Sequence, residues 1–234
     1  LDSAMDFLPE TGALLVPYIF RDLDHWESFT NSDFSKELRE QIGEAVGVKE
    51  FQFYNHGFRH VTTKGDAVPT TPEEFEGLKL RVVDFAPYPE VATVLNASPT
   101  PLPFSEVYMA LSQGVVDAQE NPLNQIVAMK FYEVQDNLIL TGHILAISSI
   151  VCSDDFWNSL PAEDQALIEK LFDENSKRID EIVKGEQDAL LEQLKGFGMN
   201  VVEVDKQPFM DRVSLVFDKY PEFKDLYDKI QAIN

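Results

Sequence analysis

Between Pro161 and Pro208 the chain has no proline. Inside that stretch Leu167, Ile168, Leu171, Phe172, Ile179, Ile182, Val183, Leu190, Leu191 and Leu194 recur at three- and four-residue steps. That is the period of a helix with one apolar stripe. Pro161, followed by Glu163 and Asp164, suits a helix start, where an amide hydrogen is dispensable and negative charge meets the positive end of the helix dipole. Up to Lys195 the only weak breaker is Gly185. A helix of this extent measures roughly 50 Å at 1.5 Å per residue. It outruns a small lobe, so it must span two lobes or bend near Gly185.

The rest of the chain alternates between short β-rich and helical runs, the pattern of an α/β protein. Ala13–Val16 is an apolar run that suits either a strand or a helix turn. Asp22 to Gly43 reads as helical. Val48 to Asn55 reads as a strand, continued by Val61-Thr-Thr63. Thr71-Pro-Glu-Glu74 has the form of a capping box that opens a short helix. Lys79 to Val83 is a short strand, and Pro99, Pro101 and Pro103 argue against regular structure before Phe104. Ser105 is placed to cap a helix running to Gln113, with Gly114 just past its end. Val115 and Val116 lead into the polar turn Gln119-Glu120-Asn121-Pro122. A helix over 123–136, strands at Leu138–Thr141, Ile144–Val151 and Val201–Val204, and a mostly helical 208–234 complete the chain.

The formal net charge of −22 over 234 residues disfavours nucleic acid and anionic membranes as partners, since either needs a basic patch. It leaves room for a small anion held by arginines within a cleft, because a distant acidic surface is screened. No run approaches the length of a membrane helix, which disfavours direct membrane insertion, and no signal segment is visible at the N-terminus. The lone Cys152, in an apolar run, reads as a buried structural thiol; with no second cysteine there is no intrachain disulfide. His56 and His60 have a spacing that binds zinc on a helix, but Gly57 and the β context place them on a strand, roughly 13 Å apart. Metal ligand clusters, phosphate-binding glycine loops and serine nucleophile motifs are absent, so no metal and no cofactor are expected.

Several longer motifs stand in a fixed order: Val16-Pro-Tyr-Ile-Phe-Arg21, Gly77–Val82, Pro99–Tyr108, Val115–Pro122, Lys130-Phe-Tyr-Glu-Val-Gln135 and Thr141-Gly-His143. Together they resemble the solute-binding subunit of tripartite ATP-independent periplasmic (TRAP) transporters, the DctP-like group. The resemblance runs from Val16 to the C-terminus. It implies a two-lobed α/β periplasmic binding protein with mixed sheets, hinge strands and a long lobe-spanning helix. On that template residues 1–56 and 147–186 form the first lobe, and 57–146 and 187–234 the second. Family members carry a further segment before the equivalent of Leu1, so the first lobe is expected to lack its N-terminal part.

The same resemblance assigns candidate ligand contacts. Arg81, between apolar neighbours on a strand, needs an anionic partner; composition alone points to an internal salt bridge, the family to a bidentate pair with a ligand carboxylate. Arg59 is either a solvated loop arginine or a second arginine facing the anion. Asn121 is either a turn residue or an amide donor to the carboxylate. Glu120 beside it suits orienting an arginine more than touching ligand. Phe104 is either a core aromatic or a platform for the ligand's apolar face. His143 stands evenly between structural and ligand roles. Asp84 departs from the Pro-Asn of the sialic-acid-binding branch, where this chain has Val83-Asp84. It either pairs with Arg81 or accepts ligand hydroxyls, and it favours a polyhydroxylated sugar acid such as a uronate or aldonate.

The expected function is extracytoplasmic, in the periplasm: capture of an organic acid anion and its delivery to the membrane subunits of an ion-driven TRAP permease. A sialic acid or small (di)carboxylate binder of the same family, or a ligand sensor on the same scaffold, are the alternatives. An enzyme using Glu120 and Asp84 as acid and base would need the two carboxylates to converge within about 5–10 Å; no catalytic role is expected.

Overall fold

The computed structural model describes residues 4–234. Residues 1–3 of the expected first lobe lie outside the described residues.

The centre is a mixed six-stranded sheet. Its strands are β1 (Val48–Thr63), β2 (Lys79–Val82), β3 (Ser98–Pro101), β4 (Ala118–Pro122), β5 (Asn137–Ser153) and β6 (Asn200–Val202), in the order β3-β2-β4-β1-β5-β6. β2 runs parallel to β3 and β4, β5 parallel to β6, and β1 antiparallel to both β4 and β5. β1 and β5 are each one long strand where the sequence suggests two short ones. They stay paired from Val48↔Ser153 to Thr63↔Asn137, and register shifts near Asn55/Phe58 and Arg59/Val61 absorb the irregular residues. Gly57 sits at the first shift with φ +87°, a conformation that a side chain disfavours. Contrary to expectation, the proline-rich run is partly regular. β3 is an edge strand paired only with β2, so Pro99 and Pro101 need no amide hydrogen on the open side.

Helices surround the sheet. The run from Asp22 divides into α1 (Leu23–Thr30) and α2 (Asp33–Val46). Each has its own cap: Asp22 accepts from the His25 amide at 2.7 Å, and Ser32 from the Ser35 amide at 3.1 Å. The Ala13–Val16 run falls in a 3-10 turn, Pro9–Leu15, and Pro72–Phe75 is another. Thr71 makes no side-chain cap; instead the Glu74 carboxylate takes the amide of Thr70. After α3 (Pro89–Leu95), a 3-10 turn at Phe104–Glu106 feeds α4 (Val107–Ser112). Ser105 lies inside that turn and cannot adopt the extended conformation of an N-cap, which corrects the capping expectation. The expected 123–136 helix stops early as α5 (Leu123–Ala128), with Lys130 at φ +55° and a 3-10 turn at Phe131–Glu133. Then come α6 (Asp154–Ser159), the long α7 (Ala162–Gly196), α8 (Gln207–Met210), α9 (Ser214–Lys219) and α10 (Lys224–Gln231).

α7 has the expected span: 35 residues, about 52 Å at the helical rise. It packs on β1 and reaches α5 and β6. Phe172 stacks on Phe51 at 4.3 Å, and Leu194 is fully buried in a cluster with Phe131 and Leu138. The apolar stripe is only partly covered, because Leu167, Leu171 and Ile182 are exposed. The larger core gathers Phe20, Trp26, Phe29 and Phe53, with rings about 5–6 Å apart. Cys152 is half-buried at the end of β5, not in the core. Among the described residues no helix is long and apolar enough to cross a membrane, and no group of acids, histidines and cysteine is placed to hold a metal.

Candidate functional site

A cleft of about 600 Å³ opens over the middle of the sheet. Its walls bring together five of the seven candidate residues: Arg59, Arg81, Asp84, Phe104 and Asn121. Glu120 and His143 are fully buried behind Arg59 and do not line it.

Arg81 is held on β2 between two parallel neighbours, opposite Thr100 of β3 and Gln119 of β4. It is 2% exposed. Its Nε and Nη2 both donate to the Leu102 carbonyl, at 3.0 and 2.6 Å. Its Nη1 has no partner, and no described carboxylate pairs with it. Burial pushes its pKa down, Glu120 opposes that at longer range, and Arg59 adds to it. The Phe104 ring lies 5.9 Å from the guanidinium carbon and is 38% exposed. It faces the cleft because the 3-10 turn after Pro103 turns its side chain out of the core.

Arg59 is arranged differently. β1 sets it opposite Pro122 on one side and Ile144 on the other. Its Nε donates to Glu120 Oε2 and its Nη2 to Glu120 Oε1 at 2.8 Å, a fork on a carboxylate. Nη2 also reaches the Glu120 carbonyl at 2.8 Å and Asn121 Oδ1 at 3.2 Å. Burial by itself would raise the Glu120 carboxyl, but the Arg59 charge and the hydrogen bonds from His143 and Arg59 outweigh it and hold the group at about 2. Burial likewise works against the Arg59 charge, and Glu120 more than offsets it.

His143 Nε2 lies 3.1 Å from Glu120 Oε2, and its Nδ1 lies 2.8 Å from Thr141 Oγ1. A carboxylate only accepts, so Nε2 carries the proton. Burial lowers the imidazole pKa against the pull of Glu120, which leaves a neutral ring with Thr141 donating to Nδ1. Asn121 is fixed by its own chain of bonds: its Nδ2 donates to Gln119 Oε1 at 2.6 Å, and Gln119 Nε2 donates to Thr62 Oγ1 at 2.9 Å. Asn121, which lines the cleft, thus has one amide hydrogen on Gln119 and its Oδ1 on Arg59, which leaves its second amide hydrogen without a protein acceptor among these bonds.

Asp84 is exposed just past the end of β2 and forms no ion pair with Arg81. Tyr88, Gln125 and the pair His56–Ser148 also line the cleft, with His56 Nε2 2.9 Å from Ser148 Oγ. The Tyr88 ring lies 5.5 Å from the Arg59 guanidinium. Sequence reasoning missed these four. Gln125 was within reach, one helical turn after Asn121; His56 and Ser148 meet only through the β1–β5 register. The carboxylate pair of an enzyme is not formed: Glu120 is locked in its ion pair with Arg59, out of the cleft.

Comparison with known proteins places this arrangement. Residues 3–222 match the family described as DctP, bacterial extracellular solute-binding protein, family 7. The sialic acid-binding periplasmic protein of Vibrio cholerae is 33% identical over 214 residues, covering 92% of this chain and 66% of the relative; the chain thus spans just under two thirds of that relative's length. A TRAP periplasmic solute-binding protein from Roseobacter denitrificans, solved with bound 3-deoxy-D-manno-oct-2-ulosonic acid, is 27% identical, with a TM-score of 0.91 over 100% of this chain and 79% of that one. A second from the same organism, with bound L-galactonate, is 27% identical, with a TM-score of 0.85 over 99% of this chain and 77% of that one. The chain therefore belongs to the DctP family of bacterial extracellular solute-binding proteins, a family of binding proteins rather than enzymes, and has the α/β periplasmic binding protein fold of the TRAP solute-binding proteins.

Proposed function

We propose that the cleft captures an organic acid anion in the periplasm, with the ligand carboxylate on Arg81 and Asn121, and hands it to the membrane subunits of a TRAP permease. The observation that carries this is the state of Arg81: 2% exposed, without an acidic partner, one guanidinium nitrogen unpaired at the cleft wall. A buried guanidinium without an anion is costly, and a planar fork suits a carboxylate. Arg59 supplies positive potential beside it while Glu120 and His143 fix its orientation. The charge of Arg59 is already balanced, whereas that of Arg81 is not.

The anion is a sugar acid, a uronate or aldonate. Asp84, His56, Gln125 and Ser148 offer hydroxyl partners along the same cleft, and Phe104 offers an apolar face. The relatives and structures above that are named for a ligand carry sialic acid, an octulosonic acid or an aldonate, all polyhydroxylated acids. Residues 1–56 with 147–186, and 57–146 with 187–234, act as the two lobes. Gly57 and the β1–β5 register shift beside it lie at that division, and His56 and Ser148 approach the cleft from the first lobe. Closure is favoured by contacts that only the closed form makes.

The test is calorimetric titration with a panel of uronates, aldonates, sialic acid and dicarboxylates, using the natural chain and Arg81→Ala. Binding of one sugar acid is expected, weakened at least ~100-fold in the variant, as for loss of one partner from a desolvated ion pair. Tight acid binding by Arg81→Ala refutes the carboxylate clamp. Preference for a dicarboxylate refutes the sugar-acid assignment alone.

A further inference from the structure

β1 presents side chains to both faces of the sheet. Arg59 faces the cleft, while Phe58 and His60 line a separate cavity of about 320 Å³ that shares no lining residue with it. Leu123, Leu140 and Leu191 supply further apolar wall. The volume falls within the size range of small-ligand sites, about 300–1,000 Å³.

Two residues with donor groups line this cavity, Lys206 and His60. The Lys206 ammonium lies 5.8 Å from the Phe58 ring centre and itself forms no ion pair or hydrogen bond with any described residue. It occupies space left by Gly142, where a Cβ would stand 2.7 Å from Nζ. His60 Nδ1 accepts the Gly142 amide at 3.0 Å, which leaves the ring proton of the neutral imidazole on Nε2. The two are close enough for the ammonium to act electrostatically on the ring. Glu203 also lines the cavity, but the acid that acts on Lys206 is Asp22. An ammonium that forms no ion pair among the described residues, a neighbouring imidazole and apolar walls make a receptor for an amphipathic anion, with Glu203 on the wall to set which way the anion enters.

We propose that this cavity is a second ligand site, for a small organic carboxylate with an apolar body: the carboxylate sits on Lys206 and His60 and the body against Phe58 and the leucines. The site does not depend on what the cleft binds.

NMR titration of the 234-residue chain with benzoate, and with benzamide as its neutral counterpart, tests the assignment. Benzoate is expected to bind saturably, moving the resonances of the His60 ring and the Gln187 side-chain amide, which also lines the cavity. Binding is expected to weaken at least tenfold for benzamide and in Lys206→Met, whose circular dichroism is expected to match that of the natural chain because the position is exposed. Arg81→Ala is expected to bind benzoate as the natural chain does. No saturable binding, equal binding of benzamide, or loss of binding in Arg81→Ala, which would put the anion in the cleft, each overturns the proposal.

Discussion

Replacing Glu120 by glutamine removes the counter-charge of a buried arginine while keeping shape and one acceptor. In the folded protein the Glu120 carboxyl is held at about 2 against an ordinary value of 4.5. At about 1.4 kcal/mol per pH unit, that gap amounts to roughly 3 kcal/mol of stability at neutral pH. The same order, about 3–5 kcal/mol, is typical when one partner of a buried ion pair is removed. The sign follows from the lowered value. The contribution is complete above pH 4.5 and is lost as pH falls towards 2. Urea unfolding of the natural chain and of Glu120→Gln, followed by tryptophan fluorescence at several pH values, measures it. The variant should be about 3 kcal/mol less stable at pH 7, and the difference should narrow by about 1 kcal/mol at pH 3.5. A difference below about 1 kcal/mol at pH 7, or one indifferent to acid, would refute the view that this carboxylate anchors Arg59.

Phe104→Ala should cost less than about 1 kcal/mol in stability, since the ring is partly exposed, yet weaken acid binding about tenfold through loss of the platform beside Arg81; equal effects on both in paired melting and titration experiments would argue for a packing role. Gly57→Ala forces a Cβ onto a backbone at φ +87° and within 3.0 Å of the Gln187 amide, so its urea midpoint should report a loss of about 1–2 kcal/mol; an unchanged midpoint contradicts the strain. Burial and the nearby His143 and Lys206 hold the His60 ring at about 3, against an ordinary 6.5. Its NMR signals should not titrate between pH 7 and 4. Its contribution to stability should fall as pH drops from 6.5 towards 3, because only the unfolded chain takes up the proton there; a midpoint near 6 would show that the ring is solvated.

Much of the architecture is local and therefore visible in the order of residues. Proline spacing and the apolar stripe identify α7, whose hydrogen bonds all lie within four residues of sequence. The Lys79–Val82 strand is likewise legible, whereas the Gln119–Pro122 segment read as a polar turn is part of strand β4, paired by the sheet on both sides. The resemblance of motifs nominated Arg81, Arg59 and Asn121 together, and the sheet does bring them to one cleft. Errors arose where tertiary context outweighed local preference. Pro99 and Pro101 join a strand because it lies at an edge, and Ser105 loses its capping role to a 3-10 turn.

What the sequence by itself determined is the list of parts: an α/β chain, a helix longer than a small lobe, an excess of acidic residues, and an arginine, Arg81, set between apolar neighbours and in need of an anion, with Arg59 open between loop and site. Which anion each arginine finds was decided only in three dimensions. Arg59 and Glu120 are 61 residues apart in the chain, yet β1 and β4 pair so that the fork closes on the carboxylate. Arg81 lies closer to Glu120 in sequence, but its fork is turned to the Leu102 carbonyl and the cleft. A guanidinium reaches only a few ångströms, so partnership follows strand register and side-chain direction, and neither is written in spacing along the chain.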